Sequence, residues 1–257
     1  MEDAMTVKLG LSERHPNVCL AGVFDGHAGD RASAFLSANL ANKISELSDP
    51  TDSAQLSAAT LAIDADFLAS CPTQDLKDHG STCVFAVFYP IHDQGETDDS
   101  KKRWHVKVCN VGDSRAMILR QDGTCVSLTK DHKPQDDKEK ERIEKCNGFV
   151  RDNRVDGQLA MSRAIGDWQY KRNLAFTVAE QKVIPVPDIT EDTVCCGDFL
   201  FICCDGIVEH MSNEDACNVI KEVSCTPTSV CSMLSRHRMV SFRKVAADSM
   251  MINFDTR

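Results

Sequence analysis

The sequence predicts an α+β fold: one domain of two β-sheets with flanking helices. Three observations carry that prediction. Near-continuous apolar runs occur at VCLAGVF, VKVCNVG and FLFICC, as expected of strands covered on both faces. Two segments between the first and second of these runs carry apolar residues at helical spacing. Pairs of strand-like segments then follow one another with short polar connections, the pattern of antiparallel hairpins.

Taken in chain order, residues 18–24 form the first buried strand. Phe35, Leu36, Leu40, Ile44 and Leu47 recur as one stripe and predict a helix to about residue 47, with Asp30 at its positive end. Leu56, Ala59, Ile63 and Phe67 predict a second helix. Ser81–Tyr89 and Trp104–Val111 read as a hairpin around the polar loop PIHDQGETDDSKKR. Arg115–Leu119 and Cys125–Leu128 flank Gln121-Asp122-Gly123, a tight turn. A charged helix is expected over 134–145 and an aperiodic loop over 171–195, which carries Pro185 and Pro187. Phe199–Cys204 is a further buried strand. Ser212 with Asp215 three residues on is a capping-box arrangement opening a helix. Another helix is expected over 228–238 and a last strand over Met250–Phe254.

Composition narrows the function. The chain has 257 residues, 42% apolar and 26% charged, ordinary for a soluble domain with a sizeable core. No apolar run approaches the roughly 18 residues of a membrane helix. Acid follows Met1 where a signal peptide would carry base, so a cytoplasmic or nuclear setting is expected. A net charge of -10 argues against a general nucleic-acid binder. The 13 cysteines show no C-x-x-C pair, and Cys195-Cys196 and Cys203-Cys204 point to opposite strand faces, so reduced core thiols are expected. Cys109 and Arg115 stand in a C-x5-R spacing, but Val108 precedes the cysteine and Asp113 would oppose a phosphate. Cys109 reads as a strand residue.

The three apolar runs share an ending. They stop at Asp25-Gly26-His27, Asp113-Ser114 and Asp205-Gly206, and Asp248 stands just ahead of MMINF. Strands that deliver carboxylates to their ends can build one acidic pocket, which suits hard divalent cations and phosphate chemistry. Singly, Asp-Gly is a common turn dipeptide. Two strand-Asp-Gly-helix units in one chain are harder to assign to turns alone.

These residues belong to a longer ordered set: VFDGHAGD, GSTCVFAVF, VCNVGDSRAMI, LTKDHKP, LAMSRAIGDWQYK, FICCDGIVEHM and ADSMMINF. In that order they resemble the metal-dependent protein phosphatases, the type 2C serine/threonine phosphatases, from Glu2 to about Phe254. The resemblance implies two packed, mainly antiparallel β-sheets with helices on both outer faces, an α-β-β-α sandwich. It also implies two Mn²⁺ or Mg²⁺ ions, with a weaker third, and phosphoserine or phosphothreonine protein substrates. A monomer is expected, with neither nucleic acid nor membrane as partner. Asp25 would bridge the cations, with Gly26 and Glu2 on one and Asp205 and Asp248 on the other. Asp3 would orient metal-bound water, and Asp113 and Glu209 would face the third cation. Water held between two cations loses much of its proton affinity and attacks phosphorus in line, without a covalent intermediate. His27 would protonate the leaving alkoxide.

Three departures from the family pattern stand out. An arginine that precedes the Met-Glu-Asp motif in the family has no counterpart, so residues 1–257 are expected to be one phosphatase domain lacking its first strand. Arg163 is the candidate substitute for gripping phosphate. Ser249 stands where the family has asparagine, and Glu209 where it usually has aspartate. The alternative reading is a weakly active or inactive member that serves as a phosphoprotein-binding or scaffold module.

Overall fold

A computed structural model of the chain describes residues 2–91, 102–208, 212–215, 217–218, 241–246 and 249–254. Strands β1 (Ala4–Lys8), β2 (Cys19–Phe24) and β3 (Gly26–His27) precede helices α1 (Arg31–Ser45), α2 (Ser53–Ser70) and α3 (Gln74–Lys77). Next come β4 (Gly80–Ser81), β5 (Cys83–Ile91), β6 (Arg103–Val111), β7 (Arg115–Leu119), β8 (Cys125–Ser127) and α4 (Asp137–Lys145). The short strands β9 (Val150–Arg151), β10 (Arg154–Val155) and β11 (Ile165–Gly166) lead into β12 (Asp188–Cys195) and β13 (Phe199–Cys203). Helix α5 (Asp205–Val208) and strands β14 (Ser241–Ala246) and β15 (Ser249–Asn253) follow.

Two five-stranded antiparallel sheets result, ordered β1-β2-β5-β6-β12 and β14-β15-β13-β7-β8. The apolar runs are continuous because each strand feeds two cores. In β2, Leu20 and Phe24 pack with Phe85, Val87, Cys109 and Val111 against Leu36, Leu40, Ile63 and Phe67 of the two long helices. The alternate residues Ala21 and Val23 pack with Val84 and Val106 against Ala116, Ile118, Leu200 and Ile202 of the other sheet. In β13, Phe201 and Cys203 turn the opposite way, toward Met117, Met251 and Cys217. The period of two thus sends every second side chain into a different layer.

Local chemistry agrees with the sequence at several ends. The Asp52 carboxylate accepts the Gln55 N–H at 2.8 Å and caps α2. The Ser212 N–H donates to the Asp215 carboxylate at 3.3 Å while the Asp215 N–H donates back to Ser212 Oγ at 3.1 Å, the reciprocal box the spacing announced. The expected helix over 228–238 and most of the loop after Ile91 lie outside the described residues.

Two expectations are corrected and one unassigned stretch is filled in. Part of the 171–195 loop is strand: Asp188–Cys195 pairs with all of β6 from Arg103 to Asn110. It is an edge strand with only Val194 buried, so it lacks the apolar alternation that marks a core strand. Arg120 pins it from the other sheet, donating to Asp192 at 2.7 Å and to the Thr193 carbonyl at 2.6 Å. The stretch after Asp3, unassigned from sequence, is the edge strand β1, in register with β2 from Ala4↔Phe24 to Lys8↔Leu20. Cys125 and Cys217 form a disulfide, with Cα atoms 6.2 Å apart, against the reading of all cysteines as reduced. Their separation of 92 residues hides that proximity from any spacing rule.

A third, three-stranded sheet, β11-β4-β3, ties the segment after Met161 to the start of α1. It is anchored by a buried ion pair. Asp64 of α2 accepts from Lys171 Nζ at 2.8 Å and from the Gly166 N–H at 2.7 Å, and both charged side chains are about 95% enclosed. Lys171 also donates to the Ala164 carbonyl at 2.7 Å. Replacing Asp64 by alanine strands a buried ammonium, so Asp64→Ala should lower unfolding free energy by about 3–5 kcal/mol in urea titrations. A loss under about 1 kcal/mol would show the pair to be unimportant to this sheet.

Candidate metal centre

The acidic pocket is built by strand ends. Register sets the first part: Ala4 lies opposite Phe24, so Asp3 and Asp25 emerge side by side from β1 and β2. The Asp25 backbone is clamped, its N–H donating to Thr82 Oγ1 at 3.0 Å and its carbonyl accepting the Thr82 N–H at 2.9 Å. Thr82 Oγ1 is in turn 2.7 Å from Ser114 Oγ, so the GST and GDS motifs meet behind the aspartate. Gly26 is glycine for steric reasons: a Cβ there would overlap the Glu2 carbonyl and crowd Ser33 Oγ. The Ser33 hydroxyl hydrogen-bonds the Glu2 carbonyl and holds the terminal segment over this turn.

The second sheet supplies the other wall. Cys203 of β13 pairs with Arg115 of β7, which brings Asp205 and Asp113 to the same end. Asp25, Asp205 and the Cys204 thiol have ligand atoms within 4.8 Å of one another. Asp113 is buried, with Oδ2 accepting from Lys133 Nζ at 2.6 Å and Oδ1 enclosed without a partner among the described residues. Glu209 and Asp248 lie outside the described residues. Ser249, next to Asp248 in the chain, pairs with Cys203.

The electrostatics are those of a cation site. Burial pushes the Asp25 carboxyl up to about 8, and the Asp3 hydrogen bond and the Asp205 charge add to the rise. Asp113 is also raised, first by burial; Lys133 opposes the rise while Asp205 and Asp131 reinforce it. Carboxylates pressed together in this way are relieved by a divalent cation, and their hard oxygens, set beside the softer Cys204 thiol, suit Mg²⁺ or Mn²⁺. The residues present fit the implied ions, with Asp25 and Asp205 as the main described ligands and the orphaned Asp113 oxygen as a further one.

His27 stands beside this wall in β3. Its Nε2 is 2.8 Å from Asp167 Oδ2, while Nδ1 is enclosed without a partner among the described residues. Burial works to lower its pKa, but Asp167, with Asp25 and Asp113, more than offsets this and the net shift is upward. Neither Asp167 nor Lys133 was singled out by the sequence reading. Each sits inside a quoted motif, LAMSRAIGDWQYK and LTKDHKP, and that is the signal available for them.

Arg163 has another occupation. Its guanidinium donates to Glu139 at 2.7 Å, to Asp188 at 2.8 Å and to the Val186 carbonyl at 3.0 Å. This network joins α4 to the start of β12 and gives the arginine a structural partner set instead of a phosphate. Cys109 is a buried residue of β6 whose thiol burial pushes well up, and Arg115 is forked onto Asp131 at 2.9 and 3.0 Å. The C-x5-R spacing therefore builds no thiolate loop.

Fold and site together define the class: an α+β phosphatase fold with a carboxylate cluster at the sheet ends. Residues 1–243 match the family described as protein phosphatase 2C, and the chain belongs to that family. It is 34% identical over 252 residues to "Protein phosphatase 1B" of Mus musculus, covering 90% of this chain and 61% of that protein. It is 36% identical over 227 residues to "Probable protein phosphatase 2C 55" of Oryza sativa subsp. japonica, covering 86% and 54%. The chain thus spans a little over half the length of these relatives. A solved phosphatase structure from a pathogenic strain of Toxoplasma gondii aligns with a TM-score of 0.80 at 26% identity, over 100% of this chain and 89% of that one.

The Asp25 shift has a thermodynamic consequence. A carboxyl at about 8 in the folded state against 3.8 in the unfolded chain keeps a proton that the unfolded state has lost. Metal-free protein should therefore lose stability as pH rises from about 4 toward 8. A cation replaces that proton, so the rise in Tm on adding saturating Mn²⁺ should grow across the same window. A Tm increment that is flat or shrinks with pH would show that Asp25 does not hold the metal.

Proposed function

We propose that the chain is a metal-dependent protein phosphatase acting on phosphoserine and phosphothreonine in proteins. The observation that carries this reading is the convergence of Asp3, Asp25, Asp113 and Asp205 from four separate strand ends. No other feature among the described residues explains why so many carboxyl groups are gathered at one place. Family membership supports the same class of chemistry.

When bound, the divalent pair supplies an activated water and neutralises charge on the phosphate oxygens. The chain's own residues do the rest. Asp25 and Asp205 hold the ions, with Glu2, Gly26 and Asp248 as the further ligands the family pattern implies and Asp3 orienting water beside Asp25. Asp113 and Glu209 serve a weaker outer cation, with Lys133 already on one Asp113 oxygen. His27 donates a proton to the departing serine or threonine oxygen, which is too basic to leave unaided. The ordered β11-β4-β3 sheet holds that histidine against the acidic wall.

Purified protein should hydrolyse a phosphothreonine peptide with Mn²⁺ or Mg²⁺ and lose the activity in chelator. Asp25→Ala should cost more than the roughly 10²–10⁴-fold expected for His27→Ala, because metal assembly goes with it. Thiol alkylation should leave turnover intact, since Cys109 is buried. Hydrolysis that persists in chelator, or an Asp25→Ala variant as active as the wild type, would sink the reading. The absence of any hydrolysis would favour a phosphoprotein-binding role.

A further inference from the structure

We infer that Asp167 is a positioning residue for catalysis: it holds the His27 ring by Nε2 so that Nδ1 is the atom that protonates the leaving oxygen. The inference rests on His27 being the proton donor proposed above.

Four observations converge on it. The His27 Nε2 to Asp167 Oδ2 contact is 2.8 Å and joins residues 140 apart in sequence. The Asp167 side chain is 2% exposed against 23% for His27, so the carboxylate is the fixed member of the pair. The second observation is the other ring nitrogen: Nδ1 is enclosed and has no partner among the described residues. An enclosed polar atom without a partner costs free energy unless a ligand completes it. With Nε2 engaged, Nδ1 is the ring atom left for substrate.

The third observation is backbone strain. Asp167 adopts φ 54° and ψ 45°, the left-handed region that Asp and Asn tolerate better than most residues. The preceding Gly166 is held by its N–H to Asp64, and Asp64 by Lys171, so the strained turn is locked from beneath. The fourth is Gly80. It pairs with His27 on one side and with Gly166 on the other, as the middle strand of the small sheet. A Cβ on Gly80 would overlap both His27 Nε2 and Asp167 Oδ2. The carboxylate and the imidazole meet across the face that this glycine leaves bare. A buried pair of this kind, with strain on one member and space cleared by a third residue, has the makings of an orienting device.

The step balances simply. The attacking water oxygen forms a bond to phosphorus as the bond from phosphorus to the serine or threonine oxygen breaks. That oxygen takes the bonding pair and the proton from His27 Nδ1. The Nε2–H stays with Asp167, the attacking water releases one proton to solvent, and solvent returns one to Nδ1. The products are the free hydroxyl residue and inorganic phosphate.

Leaving-group dependence separates positioning from mere structure. An alkyl oxygen needs the proton, whereas p-nitrophenolate departs without one. With Mn²⁺ present, Asp167→Asn should lower kcat/KM on a phosphothreonine peptide by about 10–100-fold. The same variant should fall far less on p-nitrophenyl phosphate. His27→Ala should show the same selective loss, and the double variant should lose little more than His27→Ala alone, because the two act as a unit. Asp167→Gly keeps the left-handed backbone and serves if Asp167→Asn fails to fold. Equal losses on both substrates, or none on either, in an Asp167 variant that binds Mn²⁺ normally would overturn the inference while a selective His27→Ala loss leaves the phosphatase reading standing. If His27→Ala itself shows no selectivity, the assignment of His27 as proton donor fails first.

Discussion

Mutual repulsion among buried carboxylates is the constraint on which the rest of this structure depends. Asp25, Asp205, Asp113 and Asp3 crowd one end of two sheets, where burial disfavours the charge on Asp25 and Asp113. Such a cluster persists only if the backbone beneath it is over-determined. The clamp of Thr82 on both polar backbone groups of Asp25, and of Ser114 on Thr82, supplies that for the first sheet. Gly26 closes the same turn by letting the Glu2 carbonyl come within reach of Ser33. The apolar strands are rigid supports that carry polar tips, and their cores on both faces resist the movement that would separate the carboxylates.

The positive charges of the chain fall into two groups. Arg120, Arg142 and Arg163 are structural links: each joins segments far apart in sequence through carboxylates or carbonyls. Lys133 is different, because its partner Asp113 belongs to the acidic wall and its charge is felt by Asp205. A lysine at this point tempers the repulsion on the Asp113 side, whereas the side chains that act most on Asp25 are the carboxylates Asp3 and Asp205. That asymmetry is the physical basis for proposing a tight cation position at Asp25 and a weaker one at Asp113. Glu139 shows the opposite regime of the same physics. It is as enclosed as Asp113, but Arg163 and Arg142 outweigh the burial and hold its carboxyl down to about 2. Compensated burial makes a girder; uncompensated burial makes a site.

The small sheet β11-β4-β3 gives the fold its link between support and chemistry. Its middle strand is two residues long, and one of them must be glycine. Through it the buried Lys171–Asp64 pair, the strained Asp167 and His27 form one continuous chain of contacts.

The sequence by itself determined the buried strands, the two long helices, the Ser212 box and the family resemblance. It did so because these are local signals: a period of two or 3.6, a cap three residues from its partner, and an aspartate after each apolar run. The same local reading placed Asp25, Asp113, Asp205 and His27 as candidates. It passed over β12, whose charged, solvent-facing edge carries no apolar alternation, and it assigned all cysteines as thiols although Cys125 meets Cys217 across 92 residues. It offered Arg163 to the phosphate, an arginine that Glu139 and Asp188 already hold. Only the tertiary structure decided which carboxylates face one another, which are neutralised by a cation of the chain, and that Asp167 meets His27 over Gly80. Those outcomes depend on register and on contacts between segments 20 to 140 residues apart, and no local pattern encodes a distance through space.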